Sequence, residues 1–374
     1  MLKGVNMSLM IGPAVPAPVP KSVLDALDSV TVTTSTDGPS GFQLTFNVSA
    51  GSPLVTLFML GGGAAIPLVR VIVAVSVNGS SDVLIDGVMT NHQFAPGSSG
   101  SGVLTITGED LTRVMDYLDF SGLPYPALPP EGRVLIALAK YLVFGVVPIV
   151  IPSVLLDIPI PTARIPRQQG TDLKYVQALA KQVGFVFYHD PGPTPGTSFA
   201  YWGPEVKIGA AQPALNINMD AFTNVESMSF RFNSDSKQMP IVWVQEPITK
   251  VPIPIPIPDI SLLNPPLGVI PPIPKEFVPL DNTAKFSIPQ AILMGVARSS
   301  ASSEAVTVSG SLNVLRYGRV LKARKLVGVR GAGDAFDGLY YVRGVTHNIK
   351  RGEYKQSFDL SRNGLLSTVA RVPA

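Results

Sequence analysis

The sequence predicts a mainly β protein with an α/β insert, arranged as two β-barrels flanking a small α/β domain. Three observations carry this prediction. Residues 29–119 and 305–361 contain runs that read as strands, several alternating apolar and polar positions with the period of a half-buried strand. Residues 125–210 mix helix-period and strand-period patterns. The two β regions also echo each other. Asp86-Gly87-Val88 is followed by Asn91-His92 and the strand Val103–Thr107; Arg343-Gly344-Val345 is followed by His347-Asn348 and the strand Tyr354–Leu360. In each, a strand is expected to end, a polar turn to follow, and a returning strand to close the unit. The expected division is an N-terminal arm over 1–24, a first barrel over 25–124, the α/β insert over 125–210, and a second barrel over 211–374 with a Pro-rich insertion at 247–280.

The first barrel starts at Ser29–Ser35, rich in Val and Thr. Phe42–Val48 places Phe42, Leu44, Phe46 and Val48 on one face. Val69–Asn78 and Val83–Thr90 follow, with Asn78-Gly79 as the turn signal between them. After Val103–Thr107, Gly108-Glu109-Asp110 opens a short helix, LTRVMDYLDF, whose acidic start suits the helix dipole. In the insert, Glu131–Val143 reads as helical. Thr171–Val183 is a second helix, with Thr171 as N-cap, Asp172 in its first turn, and Leu173, Val176, Leu179, Ala180 and Val183 on one face. Gly184 stops it, because glycine takes the left-handed conformation without a Cβ penalty. Strands at Phe185–Tyr188 and Ser198–Trp202 follow. Residues 214–246 return to strands. The stretch 251–280 holds ten prolines in thirty residues and reads as extended, polyproline-like chain. Its many Ile, Val and Leu residues suit a segment laid onto another surface. Residues 289–304 read as helical.

Only 15% of the 374 residues are charged and 46% are hydrophobic, with a mean hydropathy of +0.31, against about 25% charged in a typical soluble domain. A surface this poor in charge is suited to being covered by protein partners or lipid. A net charge of +3 is too mild to indicate nucleic acid. The one basic run, Arg316 to Arg330, reads as a solvated strand face. Cysteine is absent, so disulfides, thiolate metal sites and cysteine nucleophiles are excluded, which fits assembly in a reducing cytoplasm. The first twenty residues lack the unbroken apolar region of a secretory signal. Tyr141–Leu156 is apolar but short and broken by Gly145, Pro148 and Pro152, so it reads as a buried helix end followed by extended chain, and no transmembrane segment is expected.

Catalytic patterns are missing. His92, His189 and His347 are scattered one per module and read as turn or surface histidines, with no metal-ligand spacing. The Gly-rich stretches 61–63 and 97–102 lack the features of a phosphate loop, and Gly331-Ala332-Gly333-Asp334 reads as a hairpin loop. Glu109-Asp110 is explained by a helix start, and Asp334 with Asp337 flanks a loop. Trp202 and Trp243 are expected in the core or at an interface. No catalytic, cofactor-binding or metal-binding residue is assigned, no cofactor is expected, and the chain is read as a non-enzyme. The alternative from these features is a β-rich envelope- or carbohydrate-binding protein.

Five segments, in order, resemble a known family: LMIGPAVPAPVP with LDALDSVTVT and GFQLTF; VLIDGVMTNHQ with GVLTITGEDLTRVMD; IPRQQGTDLKYVQALAKQVGFVFY; ALNINMDAFTNVESMSFRF; and GSLNVLRYGRVLKARKLVGVRG with FDGLYYVRGVTHNIKRGEYKQSFDLSRNGL. The chain is similar to the baseplate hub of contractile phage tails and injection systems, the late control D family, and to the N-terminal part of VgrG proteins. The resemblance implies a homotrimeric ring in which each chain supplies two barrels similar to the tube protein, so that six barrels meet a hexameric inner tube. It implies as partners the tube ring, a spike and other baseplate proteins, no specific nucleic-acid binding, and assembly in the bacterial cytoplasm. The sequence departs from VgrG in lacking a spike repeat after FDLSRNGL, so the spike is expected to be a separate protein. No lysozyme-like insertion is present, and cell-wall cleavage is not implied.

Overall fold

The computed structural model describes residues 4–13, 15–49, 52, 54, 68–97, 101–153, 159–162, 165–235, 237–245, 251–257, 264–280, 292, 294–296, 298–299, 304–369 and 372. The Gly-rich stretch 61–63 and most of the helix expected at 289–304 lie outside them.

The N-terminal half forms β1 (Val5–Gly12), β2 (Ala17–Pro18), β3 (Leu27–Ser35), β4 (Gly41–Ser49), β5 (Arg70–Val77), β6 (Ser80–Pro96) and β7 (Ser101–Asp110). The insert contributes β8 (Val146–Val150), β9 (Val186–Pro191) and β10 (Ser198–Gly203). The C-terminal half forms β11 (Gln212–Asn216), β12 (Val225–Phe232), β13 (Gln238–Gln245), β14 (Pro252–Pro256), β15 (Gly268–Ile270), β16 (Glu276–Pro279), β17 (Val306–Asn313), β18 (Leu326–Arg330), β19 (Gly338–Lys350), β20 (Glu353–Arg362) and β21 (Leu365–Ser367).

The expected strand pattern holds where alternation was strongest. Phe42, Leu44, Phe46 and Val48 are all buried along β4. The β5–β6 hairpin turns at Asn78-Gly79, both with positive φ (50° and 85°), as a tight hairpin turn demands.

The chain is mainly β with a small α/β insert, and the two β halves merge into one sheet. Thirteen strands run in the order β12-β17-β20-β19-β3-β4-β7-β6-β5-β1-β2, with β18 on β19 and β11 on β18. Among the described residues this order stays open and closes into no barrel. The junction is the antiparallel pairing of β3 with β19, Ser29 against Lys350 through Ser35 against Gly344. A bulge between Val342 and Gly344 lets β19 change partner: its first part pairs with β18, its second with β3. One apolar core follows the sheet through both halves, joining Val32, Leu44, Phe46 and Ile106 to Val308, Val345, Phe358 and Leu360.

Both echoed polar pairs lie inside long strands, Asn91-His92 in β6 and His347-Asn348 in β19, and the turns come later, at Arg351-Gly352 in the second case. This corrects the expected strand end: a period-2 run interrupted by polar residues continues because sheet pairing, with β7 for Asn91-His92 and with both β3 and β20 for His347-Asn348, outweighs local propensity.

In the insert the helix Pro130–Ala139 continues as a 3₁₀ turn to Phe144. The expected helix at LTRVMDYLDF is a 3₁₀ helix, Leu111–Asp116, with the Asp110 carboxylate accepting from the Thr112 N–H. The helix Asp172–Gln182 is capped at both ends. Thr171 Oγ1 accepts the Lys174 N–H at 3.4 Å and donates to Asp116 at 2.6 Å. At the other end the Phe185 N–H reaches Ala180 O and the Gly184 N–H reaches Lys181 O, the paired bonds of a Schellman stop, with Gly184 at φ +71°. Fully buried Asp172 accepts from Tyr141, Lys140 and Gln168 at 2.6–2.8 Å. The two insert helices pack with Leu111, Met115 and Val88 against the inner face of the sheet β8-β10-β9, where Trp202 is fully buried.

The Pro-rich stretch is not polyproline-like throughout. Residues 252–256 pair antiparallel with β13, residues 276–279 pair parallel with it, and Gly268–Ile270 pairs with β21. Proline tolerates this because β14 is an edge strand and its sequence alternates Pro-Ile-Pro-Ile-Pro. The Ile257 N–H donates to Pro240 O at 2.9 Å, so the isoleucine positions turn their N–H groups inward and the proline nitrogens face out.

Candidate interaction surface

Three charged contacts lock the insert and the two halves of the sheet together. Arg70 on β5 grips Asp86 on β6 through two bonds of 2.7 and 2.6 Å, both side chains at most 3% exposed, and reaches Gly196 O in the β9–β10 turn. Arg324 of the C-terminal half donates to Asp190 of β9 at 2.5 Å and to Ser35 O of β3 at 2.6 Å, with its guanidinium 4.3 Å from the Tyr188 ring. Burial raises the Asp190 pKa, against the opposing pull of Arg324 and His189. Arg343, at the β19 bulge, pairs with Glu304 and holds both oxygens of Asp37; Glu304 also accepts from Lys207 at 2.7 Å. Burial lowers the Lys207 ammonium, but the Glu304 and Glu205 carboxylates outweigh it and raise its pKa. Such pairs add little net stability, yet losing one partner strands a buried charge. They fix geometry across the seam.

Among the described residues, exposed apolar side chains gather on the small Pro-rich sheet and on the insert. In the small sheet β14-β13-β16 one face packs Val242 and Ile255 onto Ile257 and Leu280. Cross-strand register puts Trp243 beside Pro254 and Met239 beside Phe277 on the other face, where Trp243 is 47% and Phe277 60% exposed. On the insert, edge strand β8 exposes Val147 and Ile149, and Leu142 and Val143 just before it are exposed as well. Large apolar groups gathered in this way mark contact surfaces. That residues 214–246 return to strands was readable in the sequence; which face of β13 is covered was not.

The residues screened for chemistry take structural places. His189 and His347 are 3% and 4% exposed and lie in strands β9 and β19, which corrects their reading as turn or surface residues; the hydrophobic cores on one face of each strand draw them inside. The Gln356 side chain is fixed by Leu321, whose N–H it accepts at 3.0 Å and whose carbonyl it bonds at 2.8 Å. Its amide nitrogen and the Tyr354 hydroxyl therefore both address His347 Nδ1, which leaves the ring proton on Nε2. Burial pushes the His347 pKa down to about 3. Asp337 accepts the Gly331 and Ala332 N–H groups and so closes its own hairpin loop. The basic run is not a strand face: Val314–Tyr317 is a short helix, 318–325 a loop, and only Leu326–Arg330 a strand, with Arg324 drawn into the seam. Among the described residues no group of three or more His, Asp or Glu side chains could hold a metal ion, and no helix is long and apolar enough to cross a membrane.

No family model matches the sequence, and no curated protein does. The fold has clear neighbours among solved structures. A tail protein from Neisseria meningitidis MC58 aligns over 97% of this chain and 98% of its own, with a TM-score of 0.61 and 14% identity. The 43 kDa tail protein of prophage MuSo2 from Shewanella oneidensis aligns over 96% and 98%, with a TM-score of 0.62 and 12% identity. An E. coli component of the type VI secretion system, itself similar to the T4 bacteriophage tail proteins gp27 and gp5, aligns over 93% of this chain and 76% of its own, with a TM-score of 0.52 and 11% identity. From end to end, the chain has the fold of phage tail proteins.

Proposed function

We propose that this chain is a non-enzymatic structural hub of a contractile tail or injection system, of the late control D type. Three copies form a pseudo-sixfold ring that joins a hexameric inner tube to a separate trimeric spike, assembled in the bacterial cytoplasm as part of the baseplate. In this reading residues 25–124 and 211–374 are the two tube-like units and 125–210 the insert that braces them. The observation that carries the proposal is the alignment of nearly the whole chain with nearly the whole of two tail proteins. The direct β3–β19 pairing of the two halves supports it, because it fixes the two units rigidly to each other, as a ring with two units per subunit needs. So do the exposed apolar faces on a chain with 15% charged residues.

Light scattering across a concentration series tests it. A species at three times the chain mass of 39.6 kDa, which binds tube-protein rings on one side in negative-stain images, is the expected result. A chain that stays monomeric even when mixed with tube and spike proteins overturns the reading.

A further inference from the structure

The basic run that is not a strand face has another use. Between the β5–β6 hairpin and the loop 318–325 lie two cavities of about 420 and 630 Å³, which share Asp82, Val320, Lys322 and Lys325 as common walls. Together they form a groove across the seam. One end is bounded by Asp190–Pro193 of the insert and floored by His347; the other reaches Asn78 and Arg319. The groove is built, not incidental: Asn78 donates to Gly318 O at 3.1 Å, Lys322 pairs with Asp82 at 2.5 Å, and Gln212 bonds the Lys322 backbone on both sides.

Its charges do not cancel. Asp82 is matched by Lys322 and Asp190 by Arg324. Arg319 and Lys325 are exposed, one in the larger cavity and one shared by both, and among the described residues no carboxylate pairs with either. His347 lines the smaller cavity. With Nδ1 occupied by Tyr354 and Gln356, its Nε2–H is the donor left for a ligand, and at 4% exposure it is a donor already stripped of bulk water. Leu84, Phe199 and Val320 add apolar wall between these polar points.

We propose that this groove binds an extended acidic segment of a partner protein, with carboxylates meeting Arg319 and Lys325, an acceptor meeting His347 Nε2–H, and intervening aliphatic side chains on Val320 and Leu84. A nucleic acid fits less well, because the groove offers only two cations without a carboxylate partner among the described residues, Arg319 and Lys325, separated by apolar wall, where a phosphate chain carries a charge at every nucleotide. The proposal does not depend on the hub reading, since the isolated chain carries the whole groove.

The test is fluorescence anisotropy of the purified full chain with a fluorescein-labelled peptide of alternating glutamate and valine, beside its glutamine counterpart. Saturable binding of the glutamate peptide that weakens with added salt is expected. The double variant Arg319→Glu/Lys325→Glu, at exposed positions and checked by circular dichroism, should lose at least about tenfold in affinity, whereas Lys181→Glu on the insert helix should not. Equal binding of the two peptides, or unchanged binding by the double variant, overturns the proposal. So does displacement by inorganic phosphate at concentrations where sodium chloride of equal ionic strength has no effect, which would mark a small-anion site. Tighter binding of a single-stranded DNA oligomer would likewise replace the peptide by a nucleic acid.

Discussion

The thirteen-stranded sheet and the three-stranded Pro-rich sheet are built from the same geometry and differ in what covers them. The large sheet carries one core that runs through both halves of the molecule, with Phe46, Leu44 and Phe358 at most 2% exposed. The small sheet rests on a cluster around Val242 and Ile257, and its other face shows Trp243 and Phe277 to solvent. Its outer edge on the β14 side is closed to strand addition, because the proline nitrogens that face outward carry no hydrogen. A sheet that is blocked at one edge and apolar on a face is suited to face contact with a partner, whereas the large sheet is suited to holding shape.

The sharpest way to break this comparison is to open a hole in the shared core. Phe46→Ala should cost about 3–5 kcal/mol, and unfolding followed by urea should show both halves of the sheet lost in a single transition. Two separate transitions would mean that the β3–β19 pairing does not couple the halves.

A smaller effect, read as a pH dependence, follows from His347 in β19. Its folded pKa lies near 3, below the unfolded value of 6.5. The folded state therefore refuses a proton that the unfolded chain accepts. The stability present above pH 6.5 is lost as pH falls toward 3, by roughly 1 kcal/mol per pH unit. Urea midpoints between pH 7 and pH 5 should fall in the wild type, and the fall should flatten in His347→Gln.

The smallest effect belongs to the small sheet. Trp243→Ala should change the stability of the isolated chain by less than about 1 kcal/mol, because nearly half of the side chain is already in water. Under the proposed hub function, with this face as a contact surface, the same substitution should weaken co-sedimentation with tube and spike proteins. A large loss of stability in the isolated chain would instead make Trp243 a core residue.

Much of the local structure was legible in the sequence. The alternation of Phe42 to Val48, the Asn78-Gly79 turn, the Thr171 cap and the Gly184 stop each depend on forces within a few residues, and each stands where the pattern placed it. The candidate surface was barely legible. Low charge indicated that some surface is covered, but burial of one face of β13 rather than the other depends on residues distant in the chain. The histidines failed for the same reason: His347 has a polar neighbour on either side, Thr346 and Asn348, and only its position in a strand between β3 and β20 takes it inside. The basic run failed because Arg324 finds Asp190 and Ser35, which lie 134 and 289 positions away.

By itself, then, the sequence determined that the chain is mainly β around an α/β insert and placed several of its caps, turns and alternating strands, because propensity, capping and alternation are short-range. Only the tertiary structure decided that the two β halves share one sheet and one core, that β19 changes partners at a bulge, and that two cations with no carboxylate partner among the described residues face one groove. Those outcomes come from strand pairing and charge pairing between residues hundreds of positions apart, and no local pattern encodes which distant partner a strand edge or a charged side chain will meet.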